Sequence, residues 1–133
     1  MLKRFSLVMF AMLLVASLGT TAQAQHGRAW VFLGERHIDG RADNDKIDIG
    51  RDRGTFRAIQ FRVEGGTVNF DRITVRYLNG ASEEIPVRSE IQSGGKTRPI
   101  DLPGARRVIE SISMWYTKGN WRTRPTVRVY GLR

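Results

Sequence analysis

The sequence contains no cysteine, and its only histidines are His26 and His37. The absence of cysteine excludes disulfide bonds, a thiol nucleophile, thiolate metal sites and lipid attachment through an N-terminal cysteine. Nucleophilic hydrolysis requires a base beside a serine or threonine, and a single histidine in a turn-like GERHIDG stretch does not form that pattern. We therefore expect a protein that is not an enzyme, has no catalytic residues and is held together by packing.

Lysine is scarce, whereas arginine is abundant. The chain has 22 basic and 13 acidic residues and a formal net charge of +9. The only lysines are Lys3, Lys46, Lys96 and Lys118. Arginine forms bidentate hydrogen bonds with carboxylate and phosphate, so this bias predicts an anionic partner. The alternative is that GC-rich codon use supplies arginine and that a basic surface only keeps the domain soluble.

The first 24 residues have the three parts of a secretory signal peptide. They begin with a basic pair that includes Lys3, continue with an apolar run from Phe5, and end in Ala-Gln-Ala at Ala24. This order predicts cleavage after Ala24 and export to the periplasm or the medium. The apolar run is shorter than the ~20 residues that a spanning helix requires. We therefore expect residues 25–133 to form a single domain without a transmembrane segment.

Most of the remaining chain alternates apolar and polar residues with period two. Ile59, Phe61 and Val63 share one face of a predicted strand that ends at a Gly-Gly pair. In the next segment the alternation slips between Phe70 and Ile73, which predicts a bulge that keeps both halves of the strand facing the core.

Turn residues divide the chain into short segments. Asn79-Gly80 predicts a tight hairpin with positive φ at both central positions, and the acidic residues 82–84 are expected in its connection. Pro103-Gly104 fits a type II turn with the glycine at positive φ. Residues 105–116 are rich in β-branched residues and serine, which favours a strand over the alternative of a helix.

About eight short strands without a helical period predict an all-β fold. The expected architecture is an antiparallel β-sandwich of jelly-roll-like type.

Acidic residues are concentrated in DGRADNDKIDIGRD, where carboxylates could bind calcium. The aspartates of this stretch are Asp39, Asp43, Asp45, Asp48 and Asp52. Their spacing does not match an EF-hand loop, and interspersed arginines and a lysine neutralise their charge. We therefore favour a solvated loop and expect neither a metal nor a cofactor.

Basic and aromatic residues near the centre and end of the chain are the candidate ligand-binding residues. They are Arg88, Arg98, Arg106, Arg107, Trp115 and Trp121. Guanidinium groups beside exposed indole rings could bind anionic groups and stack on sugar rings. The alternatives are that the arginines face water on two ordinary strands, that Trp115 packs against a cross-strand neighbour, and that Trp121 covers the open end of the sandwich.

Arginines at outward positions of several strands suggest a second basic surface. If the strands that carry Arg62, Arg72 or Arg76, and Arg128 are neighbours, these side chains form a basic stripe across one sheet. Strand order cannot be read from the sequence.

Residues 56–117 resemble a small family of secreted bacterial proteins of unknown function, the YaaI-like β-proteins. The resemblance depends on Ile85-Pro86, Glu90-Ile91, the Gly94-Gly95 turn, and the pair Ile109 and Ile112. It implies a short exported β-domain and identifies no catalytic or binding residues. Members of that group can carry cysteines, so their disulfide bonds do not transfer to this chain.

Together these features predict an exported, non-catalytic binding or interaction module. Its expected partners are anionic or carbohydrate polymers of the cell envelope, and nucleic acid is not expected to be a partner in vivo. The alternative is a structural or stress-related periplasmic protein that has no small ligand.

Overall fold

The computed structural model describes residues 29–38, 43–117 and 124–133. The predicted signal peptide and Trp121 lie outside these ranges. The described residues form nine strands and one short 3-10 turn at Arg51–Arg53. No helix in this part of the chain is long and apolar enough to cross a membrane.

The nine strands form two antiparallel sheets. They are β1 (Trp30–His37), β2 (Asn44–Asp48), β3 (Thr55–Phe56), β4 (Ala58–Glu64), β5 (Val68–Tyr77), β6 (Ser82–Ile91), β7 (Ile100–Asp101), β8 (Arg107–Thr117) and β9 (Thr126–Leu132). Sheet I has the order β1-β9-β4-β7, and sheet II has the order β2-β8-β5-β6, with β3 paired to β8.

The strand pairs are nested around the β5–β6 hairpin. β4 pairs with β7, β2 with β8, and β1 with β9, each pair antiparallel. This order is that of a jelly roll, so the predicted fold class is confirmed. Three strands of sheet II are longer than the others, since β5 and β6 each have 10 residues and β8 has 11.

The core lies between the two sheets and follows the predicted alternation. Sheet I contributes Phe61 and Val129, and sheet II contributes Ile73 and Met114, all with less than 2% of their surface exposed. These side chains belong to one continuous apolar cluster. Each buried side chain of this size contributes about 1.5–3 kcal/mol relative to an exposed one, which fixes the inward face of every strand.

The predicted bulge in β5 is confirmed. The register of β5 with both β6 and β8 shifts between Phe70 and Arg72. Phe70, Ile73 and Val75 are all buried. The extra residue, Asp71, therefore lets both halves of the strand face the core.

The hairpin between β5 and β6 differs from the prediction. Only Gly80 has positive φ, at 90°, and the N–H of Gly80 donates to the Tyr77 carbonyl oxygen at 3.0 Å. The Asn79 side chain accepts from the N–H of Ala81 at 3.0 Å, so this asparagine stabilises the turn without positive φ. The acidic residues 82–84 lie in β6 rather than in the connection, because β6 begins at Ser82.

Candidate functional site

The structure does not bring the predicted binding residues to one place. Arg106 and Arg107 lie at the start of β8, whereas Trp115 lies eight residues further along the same strand. A strand rises about 3.4 Å per residue, so Arg107 and Trp115 are about 27 Å apart. Arg88 lies in β6 and Arg98 precedes β7. The five predicted residues that the structure describes therefore cannot form a single site.

Four arginines from distant segments lie at one end of the sandwich, which we call the arginine end. They are Arg57, Arg106, Arg107 and Arg133. Phe56 of β3 is the register partner of Arg107. The carbonyl oxygen of Arg57 accepts from the N–H of Leu102 at 2.8 Å, and the N–H of Arg57 donates to Leu132 at 2.9 Å. These bonds bring the end of the chain beside the β7–β8 turn.

Aromatic rings and the backbone hold two of these guanidinium groups. The Cζ atom of Arg107 lies 3.7 Å from the ring centroid of Tyr77, and its Nη1 donates to the Pro103 carbonyl oxygen at 3.0 Å. Arg133 lies over the Phe56 ring at 5.2 Å. Because arginine has five N–H donors, Arg107 retains donors for a ligand while its position is already fixed.

Gly104 creates the space that Arg107 occupies. Its φ is 90°, as predicted for the turn, and a Cβ atom there would lie 3.2 Å from the Cδ of Arg107. A side chain at this position would strain the backbone and displace the guanidinium group.

Tyr77 is a neutral support for Arg107. Only 2% of its surface is exposed, and its hydroxyl donates to Glu83 Oε2 at 3.3 Å. Burial and the neighbouring Glu83 raise the pKa of Tyr77 to about 12, although Arg107 acts in the opposite direction. The ring therefore carries no charge at neutral pH.

Ion pairing separates two groups of arginines. On the outer strand faces, Arg72 pairs with Glu84 at 2.7 Å, Arg76 with Glu110 at 3.2 Å, and Arg128 with Glu35 at 3.0 Å. Within the described ranges, Arg88, Arg98, Arg106 and Arg107 form no ion pair with a carboxylate. Among the described residues, no carboxylate compensates the charge of the predicted binding arginines.

The predicted basic stripe across one sheet is wrong. Arg62 and Arg128 face each other on sheet I, whereas Arg72 and Arg76 lie in β5 of sheet II. The strands that carry these arginines are therefore not all neighbours, and most of the group is neutralised by glutamates.

Two open grooves flank the β7–β8 turn. One, of about 510 Å³, is lined by Arg57, Ala58, Asp101, Leu102, Ala105 and Leu132. The other, of about 320 Å³, is lined by Tyr77, Leu78, Asn79, Arg106, Arg107 and Val108. Leu78 is 47% exposed beside Arg107. Each groove therefore combines guanidinium donors with an apolar floor.

Arg98 and Trp115 have structural partners elsewhere. Arg98 donates to the carbonyl oxygens of Val87 at 3.3 Å and Pro86 at 3.4 Å, so its donors satisfy the free edge of β6. Trp115 lies on the outer face of sheet II, with the Cζ of Arg72 4.5 Å from its ring. This contact is the cross-strand packing that the sequence left as one alternative.

The remaining polar clusters have internal partners. His37 Nδ1 lies 2.8 Å from Thr126 Oγ1, and Asp45 is engaged by Arg36 and by the hydroxyl of Tyr116. No three possible metal ligands come together within the described residues. Asp39 lies outside those residues.

Sequence reasoning missed Arg57, Tyr77 and Arg133 as members of the site. Each is isolated from the basic stretch at residues 85–107, and no local pattern distinguishes it from other strand residues. Only the pairing of β3 with β8 and the contact of Leu132 with Arg57 bring them together.

Comparison with known proteins gives a family match. Residues 7–131 match the family described as "Domain of unknown function (DUF2541)". No curated protein matches the sequence significantly. A solved chain described as "Structural and functional characterization of Pseudomonas aeruginosa AlgX" is similar over 80% of this chain, with 17% identity and a TM-score of 0.47. This chain spans 26% of that protein's length, and so distant a similarity assigns no function.

Proposed function

This chain belongs to the DUF2541 family of unknown function, and we propose that it is a non-catalytic module that binds anionic polymers at its arginine end. One observation carries the proposal. Arg107 is held on the Tyr77 ring beside Arg106, and neither forms an ion pair with a carboxylate in the described structure. Such a pair offers two positive charges to an anionic ligand, and the donors of Arg107 are already fixed in position.

Binding follows from the chemistry of guanidinium groups. Carboxylate, sulfate or phosphate oxygens accept charge-assisted hydrogen bonds from arginine, often two at a time. A polymer that neutralises several arginines also releases its own counterions, so affinity falls as salt rises. Because Arg107 is already ordered by Tyr77 and Pro103, binding loses less side-chain entropy than it would with a free arginine.

The proposed location is the cell envelope. It depends on the signal peptide predicted in residues 1–24, which directs the chain out of the cytoplasm. The resemblance to YaaI-like proteins is part of the same proposal, since it also implies an exported β-domain. Acidic polymers of the envelope are then the partners that the arginine end would meet.

Retention on immobilised heparin tests this function. We expect the wild-type protein to bind at low salt and to elute only at high salt. Arg106→Glu should weaken binding by about tenfold or more, because it removes one charge-assisted contact and adds a repulsive charge. Lys46→Glu is the matched control, since Lys46 lies on β2, is exposed and is already paired with Asp48.

Either of two results would overturn the proposal. One is passage of the wild-type protein through the resin at low salt, which would favour the alternative of a structural envelope protein without a ligand. The other is an equal loss of retention in the Arg106 and Lys46 variants, which would show that retention depends only on the net charge of the protein.

A further inference from the structure

The outer face of sheet I carries an exposed aromatic ring. Phe32 of β1 and Tyr130 of β9 are register partners, and their rings meet edge to face with centroids 5.6 Å apart. Phe32 is 42% exposed. The outer face of an antiparallel sheet is usually polar, so an exposed ring held in place by a second ring is a candidate surface for stacking with a ligand.

A polar row of mixed charge lies beside these rings. Arg62 and Arg128 are register partners on β4 and β9, and the Cζ of Arg62 lies 4.1 Å from the Tyr130 ring centroid. Arg128 donates to Glu35 at 3.0 Å and to Glu64 at 3.2 Å. A ligand on the rings would therefore meet both donors and acceptors along one side.

The rings connect to the arginine end through Leu132. Leu132 is the next outward residue of β9 after Tyr130, whereas its register partner Ala58 is buried. Leu132 also lines the groove of about 510 Å³ that contains Arg57. We call the row of Phe32, Tyr130 and Leu132 the aromatic track, and it joins the arginine end through this groove.

We infer that the bound polymer is an acidic polysaccharide whose sugar rings lie along the aromatic track, an inference that depends on the proposed polyanion binding. A pyranose ring has an apolar C–H face and a rim of hydroxyl groups. That shape matches an aromatic ring flanked by a row of donors and acceptors. The acidic groups of the same polymer would bind the guanidinium groups of the arginine end.

The size of the apolar row disfavours a folded protein as the occupant. A stable protein interface buries about 800 Å² on each partner. Phe32 is the most exposed large apolar side chain in the described part of sheet I, at 42% of its surface. One exposed ring suits a sugar unit better than a protein surface.

The glutamates beside the rings suit the hydroxyl groups of a sugar. Glu35 and Glu64 both accept hydrogen bonds from Arg128, and a carboxylate can also accept hydrogen bonds from sugar hydroxyl groups. Bases stack on aromatic rings as well, so a single-stranded nucleic acid is the alternative occupant that the test includes.

Calorimetric titration with polygalacturonate and with inorganic polyphosphate tests the inference. Both polymers are anionic, but only the first has sugar rings. Phe32→Ala should weaken polygalacturonate binding about tenfold, an effect within the range for loss of one stacked ring, and leave polyphosphate binding unchanged. Phe32→Tyr keeps the ring and should bind both polymers as the wild type does.

The outcomes separate this inference from the proposed function. If Phe32→Ala binds polygalacturonate as well as wild type does, or if an oligothymidylate binds more tightly than polygalacturonate, the polysaccharide inference is wrong while polyanion binding stands. If the wild type binds neither polygalacturonate nor polyphosphate, the proposed function itself fails. A thermal melt of Phe32→Ala that matches wild type shows that a loss of binding is not a loss of folding.

Discussion

At the scale of single residues, arginine has three different roles in this protein. Carboxylates neutralise Arg72, Arg76 and Arg128, backbone carbonyl groups occupy Arg53 and Arg98, and aromatic rings support Arg62 and Arg107. The sequence identified arginine as the abundant charge but could not assign these roles, because each depends on a partner from a distant strand. The partner, and not the residue type, decides which guanidinium groups are available to a ligand.

Tyr77 makes stability depend on pH in the alkaline range. Its pKa in the folded protein is about 12, above the usual 10 of tyrosine, so the folded state holds its proton more tightly than the unfolded chain does. The resulting stabilisation is complete below about pH 10 and is lost as pH rises from 10 towards 12. We expect the free energy of unfolding, measured with urea, to fall more steeply over this range in wild type than in Tyr77→Phe. Equal pH dependence of the free energy of unfolding in the two proteins would contradict the raised pKa of Tyr77.

At the scale of elements, local patterns predicted strands and bends better than turns. The alternation of apolar and polar residues is interrupted around Asp71, and this interruption predicts the bulge of β5. Phe70 and Ile73 are an odd number of residues apart, so both can be buried on one side only if the strand contains an extra residue. The sequence predicts a loop for the acidic segment 82–84, since it does not show that Arg72 and Tyr77 on β5 supply partners for Glu84 and Glu83. Cross-strand partners decide where β6 begins.

Deletion of Asp71 tests the role of the bulge. Without the extra residue, Ile73 and Val75 would shift to the outer face, so we expect the variant to lose its cooperative thermal transition. Asp71→Ala keeps the chain length and removes only an exposed ion pair with Arg72, which should cost at most about 1 kcal/mol. Calorimetry that shows both variants melting alike would mean that the bulge does not set the register.

At the scale of the whole molecule, the sequence predicted the fold class but not the candidate site. The alternation of apolar and polar residues and the turn residues suffice to predict an antiparallel sandwich, because each strand must bury one face. The site depends on strand order, which places Phe56 beside Arg107 and the end of the chain beside Arg57. No local pattern contains that order, so residues 85–107 suggested one basic surface where the structure has separate ones.

The charge of the molecule has the same dependence on topology. The formal net charge of +9 describes the entire sequence, but glutamates neutralise several arginines on the sheet faces. Among the described residues, Arg106 and Arg107, which have no carboxylate partner, lie where β3, β8 and the β7–β8 turn meet. We therefore propose that polyanions bind at this end and that general basicity does not account for the binding.

The salt dependence of polygalacturonate affinity distinguishes binding at the arginine end from general basicity. The double variant Arg106→Gln/Arg107→Gln removes two ionic contacts, so the slope of log affinity against log salt should be smaller than that of wild type by about two. The control Lys46→Gln/Arg76→Gln removes the same charge from ion-paired positions and should keep the wild-type slope. Equal slopes for all three proteins, or no binding by wild type at low salt, would contradict polyanion binding at the arginine end.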